Sequence, residues 1–322
     1  YVGGAVTLDE GINIINNSVL QNGETLWIKA DGTYTTNSQL AINVAGAVDA
    51  YKRICGYSST IGDGGKATIQ LTASLDTHFI YESQYYWIIE NIIINGNDNQ
   101  TAGAGLSLPS AGAFAVNIEA KNCRTGISGG HIINCISHDN SYAGIESINV
   151  VNSIAYNNAT RGFYGGFRII NCIAKNNATN YWLTYSGIIV NCISDGGTTG
   201  IYFGDGNIIL NSVVVNATYG LYSSRDITSK PEVCPPFYIS NICLYNNTNN
   251  FYKMLSSHVY NVYTLDPQFK DPANFDYTRT GNNLSDKGFS EVGMKSDIDY
   301  AIDIGIDQMK IPDFPSENDV RE

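Results

Sequence analysis

Three residues able to move a proton or hold a charge, His138, Lys175 and Asp195, share one position in a repeated phrase. Each lies four residues after an asparagine, and other repeats place Lys121, Tyr156, Val215 and Tyr245 there. Elimination from a uronic-acid polymer needs a base beside a neutralising cation, and this column offers both residue types. Hydrolysis of a glycosidic bond needs instead two carboxyls about 5 to 9.5 Å apart. With stacked strands about 4.8 Å apart, Asp139 and Asp195 stand about 14 Å from one another, three repeats away. The spacing therefore argues against a hydrolase, while a lyase built on His138, Lys175 and Asp195 stays open.

A second position carries binding chemistry. Two residues after a recurring glycine the chain reads Ser128, Glu146, Tyr164, Leu183, Tyr202, Tyr222 and Tyr252. Tyrosines stacked one per repeat form a flat stripe that can lie on sugar faces and hydrogen-bond hydroxyls. Glu146, Tyr164, Tyr202 and Tyr222 are the expected glycan contacts. The same stripe has a second reading, as packing beneath a loop or against another subunit. No metal or cofactor is expected. Asp98, between Asn97 and Asn99, offers calcium one carboxylate with amide neighbours, and a solvated turn has the same composition. His131 and Cys135 are a pair of zinc-ligand type without a Cys-x-x-Cys or His-x-x-x-His to complete it.

What would position these columns is a ruler of asparagines. Asn117, Asn134, Asn152, Asn171, Asn191 and Asn211 sit in an apolar-apolar-Asn-small-apolar phrase at steps of about 17 to 20 residues, with Asn91 and Asn241 at longer steps outside. A glycine followed by an apolar residue falls about nine or ten residues later, as at Gly126, Gly144, Gly162, Gly200 and Gly220. A period this short, with β-branched residues and no helical pattern, specifies a solenoid of strands. Asn134, Asn152, Asn171, Asn191 and Asn211 then stack as a structural ladder, since Asn tolerates the left-handed turn and satisfies neighbouring backbone. Five residues on runs a second column, Asn122, Asp139, Asn157, Asn176, Asn216 and Asn246, broken by Gly196.

Composition narrows the class. The 322 residues carry 18 basic and 30 acidic side chains, a net charge of −12, and phosphates would be repelled by such a chain. Only 15% of residues are charged, while Asn, Gly, Ser, Thr and Tyr abound, which suits an extracellular or virion β-protein. No stretch approaches the ~20 apolar residues of a membrane span, and no signal peptide is visible. The chain opens on Tyr1 instead of Met, as a processed product or a fragment does. Seven cysteines, three of them (Cys135, Cys172 and Cys192) in the slot directly after the ladder Asn, read as buried thiols filling a small-residue position.

The ends differ from the middle. Thr7-Leu8-Asp9-Glu10 is a capping box, and Leu8, Ile12, Ile15 and Val19 follow at helical spacing, so a short amphipathic helix is expected to cover the first coil. Residues 1–22 are thus an N-terminal cap, 23–262 the solenoid, and 263–322 a C-terminal cover with an acidic arm. Inserts at 97–113, 180–187 and 223–236 are expected to form loops on the shaft.

The cap, the phrase GETLWIKADGTY at 23–34, the Asn-marked coils and LDPQFKDPANFDY at 265–277 together resemble right-handed parallel β-helix proteins of the pectate-lyase-like superfold. The resemblance covers most of the chain and implies an all-β, right-handed parallel β-helix. That superfold hosts pectate lyases, polygalacturonases, alginate and chondroitin lyases, and phage tailspikes, so it leaves activity open. Polygalacturonase-like enzymes carry Asn-Thr-Asp, Asp-Asp, Gly-His-Gly and Arg-Ile-Lys motifs; Gly129-Gly130-His131 and Arg168-Ile169-Ile170 are fragments of these. IDIGIDQ at 302–308 resembles the final strand of phage-encoded members. The leading expectation is a non-enzymatic surface protein of a virion, of tailspike, fibre or capsid-decoration type, with glycan or host-surface binding along the helix. It would work as a homo-oligomer or in assembly with other virion proteins. The alternatives are a polysaccharide lyase or depolymerase and a self-associating extracellular fibre subunit.

Overall fold

The computed structural model describes residues 11–12, 16–17, 20–109, 112–184, 186–228, 237–280 and 284. Parallel pairing joins 27 strands into one continuous coil. Each turn of the coil lays down three faces, as Ile188–Val190, Ile193–Asp195 and Thr199–Phe203 do in one repeat. On the first face Ile188 pairs with Ile208, on the second Ile193 with Val213, and on the third Thr199 with Tyr219. The chain is a parallel β-helix.

Both asparagine columns occupy the tight turns. Asn91, Asn117, Asn134, Asn152, Asn171, Asn191, Asn211 and Asn241 link the first face to the second with φ between 48° and 58°. Asn122, Asp139, Asn157, Asn176, Asn216 and Asn246 link the second to the third with φ between 52° and 60°. A residue with a Cβ seldom holds that conformation, and Asn does so at least cost. Side-chain rungs join several members, with Asn117 donating to Asn91 at 2.6 Å, Asn171 to Asn152 at 3.2 Å and Asn241 to Asn211 at 2.7 Å.

A third, inner ladder runs just after several turns of the second kind. Oδ1 of Asn140 accepts from the Cys123 amide at 3.0 Å, and Oδ1 of Asn158 from the Asn140 amide at 3.2 Å. Oδ1 of Asn177 accepts from the Asn158 amide at 2.9 Å, and Oδ1 of Asn180 from the Asn177 amide at 3.2 Å. This ladder explains the glycine at Gly144 and Gly162. A Cβ on Gly162 would lie 2.6 Å from Nδ2 of Asn177, and one on Gly144 2.7 Å from Nδ2 of Asn158. The buried amides satisfy backbone groups that no strand reaches. Sequons at Asn158 and Asn177 are consumed by it, since both side chains are 1% exposed.

Apolar columns fill the interior from Leu20 to Val259. Phe163 and Tyr181 stack at 5.1 Å, and the Tyr181 hydroxyl donates to the carbonyls of Cys172 and Ile193. Cys55, Cys123, Cys135, Cys172, Cys192 and Cys243 are free and buried. Burial pushes the thiols of Cys123 and Cys135 up to about 12, so they stay protonated and inert.

Of the expected cap helix, Gly11, Ile12 and Asn16 have helical backbone, and most of the rest, including Thr7–Glu10, lies outside the described residues. Two expectations change. The expected insert at 97–113 contains the third-face strand Ala104–Leu108, and that at 180–187 overlaps the strand Thr179–Leu183. The tail is more than an end cover. Phe269–Asp271 and Asp276–Arg279 form an antiparallel hairpin on the flank of the second face. Tyr277 and Leu284 close an outer apolar cluster there with Ile173, Ile193, Val213, Val215 and Cys243. The tail beyond residue 284, with its acidic arm, lies outside the described residues.

Candidate functional site

The second-face column forms in the expected register, with Lys121 beside His138, His138 beside Tyr156, Tyr156 beside Lys175 and Lys175 beside Asp195. The hairpin then divides it. Nζ of Lys175 donates to the carbonyls of Pro272 and Ala273 and sits 4.8 Å from the Phe275 ring. Oδ2 of Asp195 accepts from the Tyr277 hydroxyl at 2.9 Å and Oδ1 from Asn216 at 2.8 Å. Asp195 is 7% exposed, so a polymer cannot lie against it with the hairpin in place. Lys175 and Asp195 therefore act here as anchors for the hairpin.

His138 remains outside the hairpin, within a charge cluster. Its Nδ1 lies 2.6 Å from Oδ2 of Asp139 and its Nε2 3.4 Å from Oε1 of Glu119, while Tyr156 stacks on the ring at 4.6 Å. Lys121 donates to the same Glu119 oxygen at 2.7 Å. Burial opposes a charge on His138, but the bonds to Glu119 and Asp139 outweigh it and raise the imidazole above its ordinary 6.5. The bond from His138 holds Glu119 at about 2 against burial, with help from Lys121.

These directions set a pH window. The raised histidine stabilises the fold fully below 6.5 and loses that contribution as pH rises through its folded value. The depressed Glu119 contributes fully above 4.5 and loses its contribution as pH falls towards 2. The cluster is therefore most stabilising between 4.5 and 6.5. Replacing His138→Gln is expected to remove about 1–2 °C of the decline in Tm between pH 6.5 and 8.5. Parallel wild-type and variant curves by differential scanning fluorimetry would contradict the assignment.

The third face bears the larger feature. Ser128, Glu146, Tyr164, Trp182, Tyr202, Tyr222 and Tyr252 stand in register. Trp182 takes the place expected for Leu183, which points inward and is fully buried. Asn180 fills the glycine position in this coil and joins the inner ladder, so the sequence numbering slips by one. A one-residue slip exchanges inward for outward side chains. Ring centroids follow one another at 6.5 Å from Tyr164 to Trp182, 4.3 Å to Tyr202, 5.2 Å to Tyr222 and 4.6 Å to Tyr252. The first four rings are partly exposed and Tyr252 is 36% exposed, so no described loop covers them.

Cations edge this strip. The Arg161 guanidinium lies 4.0 Å from the Tyr164 ring centroid and 4.1 Å from that of Trp182. Nζ of Lys253 lies 5.4 Å from Tyr222 at the other end. Arg161 also donates to the Tyr142 hydroxyl, and Arg124 sits 4.7 Å over the Tyr142 ring. The metal expectations separate in space. His131 stacks outward on Phe114 while Cys135 lies in the core, and Asp98 sits on an exposed turn.

The fold is shared with pectate lyase Pel9A. That crystal structure matches with a TM-score of 0.57 at 14% identity, over 88% of this chain and 82% of that one. A Geobacillus virus E2 protein, ORF18, matches at a TM-score of 0.48 and 14% identity, over 81% of this chain and 57% of that one. A mannuronic acid-specific polysaccharide family 6 lyase from human gut microbiota gives 0.47 and 9%, over 80% of each chain. No family model matches the chain, and no curated protein matches it in sequence. The chain has the right-handed parallel β-helix fold. Identities this low speak for fold alone, because that fold carries many unrelated chemistries.

Proposed function

We propose that this β-helix is a non-enzymatic surface protein of a virion or other extracellular structure, a rigid shaft whose third face holds a glycan. The aromatic ladder from Tyr164 to Tyr252 carries the reading. It presents five rings in one column on consecutive coils, partly exposed and bordered by Arg161 and Lys253. Sugar rings present apolar faces and hydroxyl edges, which such a surface matches with stacking and hydrogen bonds. The weakly charged, Asn- and Tyr-rich composition supports an extracellular setting. Homo-oligomerisation or mounting beside other virion proteins belongs to the same proposal. The coverage of Lys175 and Asp195 by the hairpin removes two of the three groups a second-face lyase would use.

Trp182 is central in the ladder, and central aromatic anchors dominate binding surfaces. Trp182→Ala is expected to weaken retention on a polysaccharide affinity gel by about 10-fold with little change in Tm. Equal retention of wild type and variant would remove the ladder from the binding surface. Unsaturated uronates released during the same incubation would mark the protein as a depolymerase instead.

A further inference from the structure

The ladder is not uniform along its length. Beyond Tyr164 the column passes to Glu146 and then to Ser128, and two arginines flank that end. Tyr142 lies between them, 4.7 Å from the Arg124 guanidinium carbon and 5.0 Å from that of Arg161. Glu146 makes no ion pair and no side-chain hydrogen bond among the described residues, although both arginines act on it electrostatically. Nε of Arg161 is buried without a partner. A guanidinium set among the Tyr142, Tyr164 and Trp182 rings with a donor unspent, beside an unpaired carboxylate, marks a site adapted to something besides packing.

We propose that Arg124, Tyr142, Glu146 and Arg161 form a subsite for a carboxylate-bearing sugar, with Glu146 as the competing anion that weakens retention at neutral pH. The inference rests on the glycan-binding reading of the ladder. In a chain of net charge −12, this end of the third face sets two guanidiniums against one carboxylate. A planar carboxylate on a sugar is a match for guanidinium donors, and the rings of Tyr164 and Trp182 supply the platform beside it. The groups facing Glu146 are Ser128 and Tyr164 in its column and the Arg124, Tyr142 and Arg161 group.

The sign of the pH dependence follows. Burial raises the Glu146 carboxyl above its ordinary 4.5, and Arg161 and Arg124 only partly oppose this. As pH falls, Glu146, held above its ordinary range, gains a proton before a sugar carboxylate of ordinary pKa, about 3.5, does. Acidic glycan then meets two cations without the opposing charge, and its retention rises.

The test uses an array of acid-bearing oligosaccharides, each printed beside its carboxyl-reduced form, probed with the full chain from pH 5 to 7.5. Acid-bearing forms are expected to bind more tightly than their reduced partners, increasingly so at low pH. Glu146→Gln should tighten them about fivefold at pH 7 and flatten the profile. Arg124→Gln, which lies off the ladder, should weaken acid-bearing forms about fivefold more than it weakens reduced forms. Equal binding of acid and reduced forms, with Trp182→Ala still damaging both, would overturn the carboxylate subsite and leave the ladder standing. Silence across the array from folded protein would overturn both. Matching thermal melts for the variants exclude misfolding as the cause.

Discussion

Asn158→Ala is expected to cost the fold about 3–5 kcal/mol, read as a shift in the urea midpoint. The side chain is 1% exposed and accepts from both the amide and Nδ2 of Asn140, at 3.2 and 2.8 Å. It donates to the Ser137 carbonyl at 3.2 Å and to Oδ1 of Asn177 at 2.9 Å. Removing it leaves the Asn140 amide without a partner and takes one donor each from the Ser137 carbonyl and Oδ1 of Asn177. The buried orphan costs about 1–3 kcal/mol and each further bond lost about 0.5–1.5 kcal/mol, which is where the expected total comes from. The adjacent Asn157 is the control. It is exposed and holds a φ of 53°, so Asn157→Gly should change stability by less than about 1 kcal/mol. If the two substitutions cost the same, the inner ladder is replaceable and the coil is held by its apolar columns.

The second large effect is local. Tyr277→Ala should detach the hairpin 269–279 while the coil stays folded. Tyr277 is 2% exposed, packs edge-on against Phe269 at 5.0 Å and donates to Asp195 at 2.9 Å. Burial and the Asp195 charge raise its phenol further above the ordinary range, so it remains a donor at any working pH. Truncating a buried aromatic costs about 3–5 kcal/mol, enough to open a short hairpin held by one flank. The outer faces of Ile173, Ile193 and Val213 then meet water. Rapid protease cleavage between residues 264 and 280, with binding of a hydrophobic dye and a preserved main transition, is the expected signature. Tyr277→Phe should lose less, because Asp195 keeps its bond from Asn216 at 2.8 Å. An uncleaved Tyr277→Ala variant would show that the hairpin is held elsewhere. The same variant uncovers Lys175 and Asp195, so any cleavage of polysaccharide gained on opening would reveal a masked second-face site.

Repetition was legible because one short period governs it. Each Asn of the two outer columns must hold a positive φ, so the same residue type returns at the same place and can be counted. The inner ladder left a weaker trace, the doubled Asn157-Asn158, Asn176-Asn177 and Asn246-Asn247, and was missed because only the first of each pair met the turn requirement. Leu183 was placed in the aromatic column for a related reason. Asn180 substitutes for a glycine by joining the ladder that the glycine normally clears, and no local rule announces such an exchange.

The sequence by itself determined the β-helix, the positions of its turns, the burial of the slot cysteines and the membership of the second-face column. These are nearest-neighbour properties, fixed by what each coil must match in the next. Only the tertiary structure decided what the outward columns face. It set the hairpin on Lys175 and Asp195 from about a hundred residues away, turned Trp182 outward, and brought Arg124 and Arg161 around Tyr142 beside Glu146. Outward side chains carry no periodic constraint from the core, so their partners come from contacts that spacing along the chain does not encode.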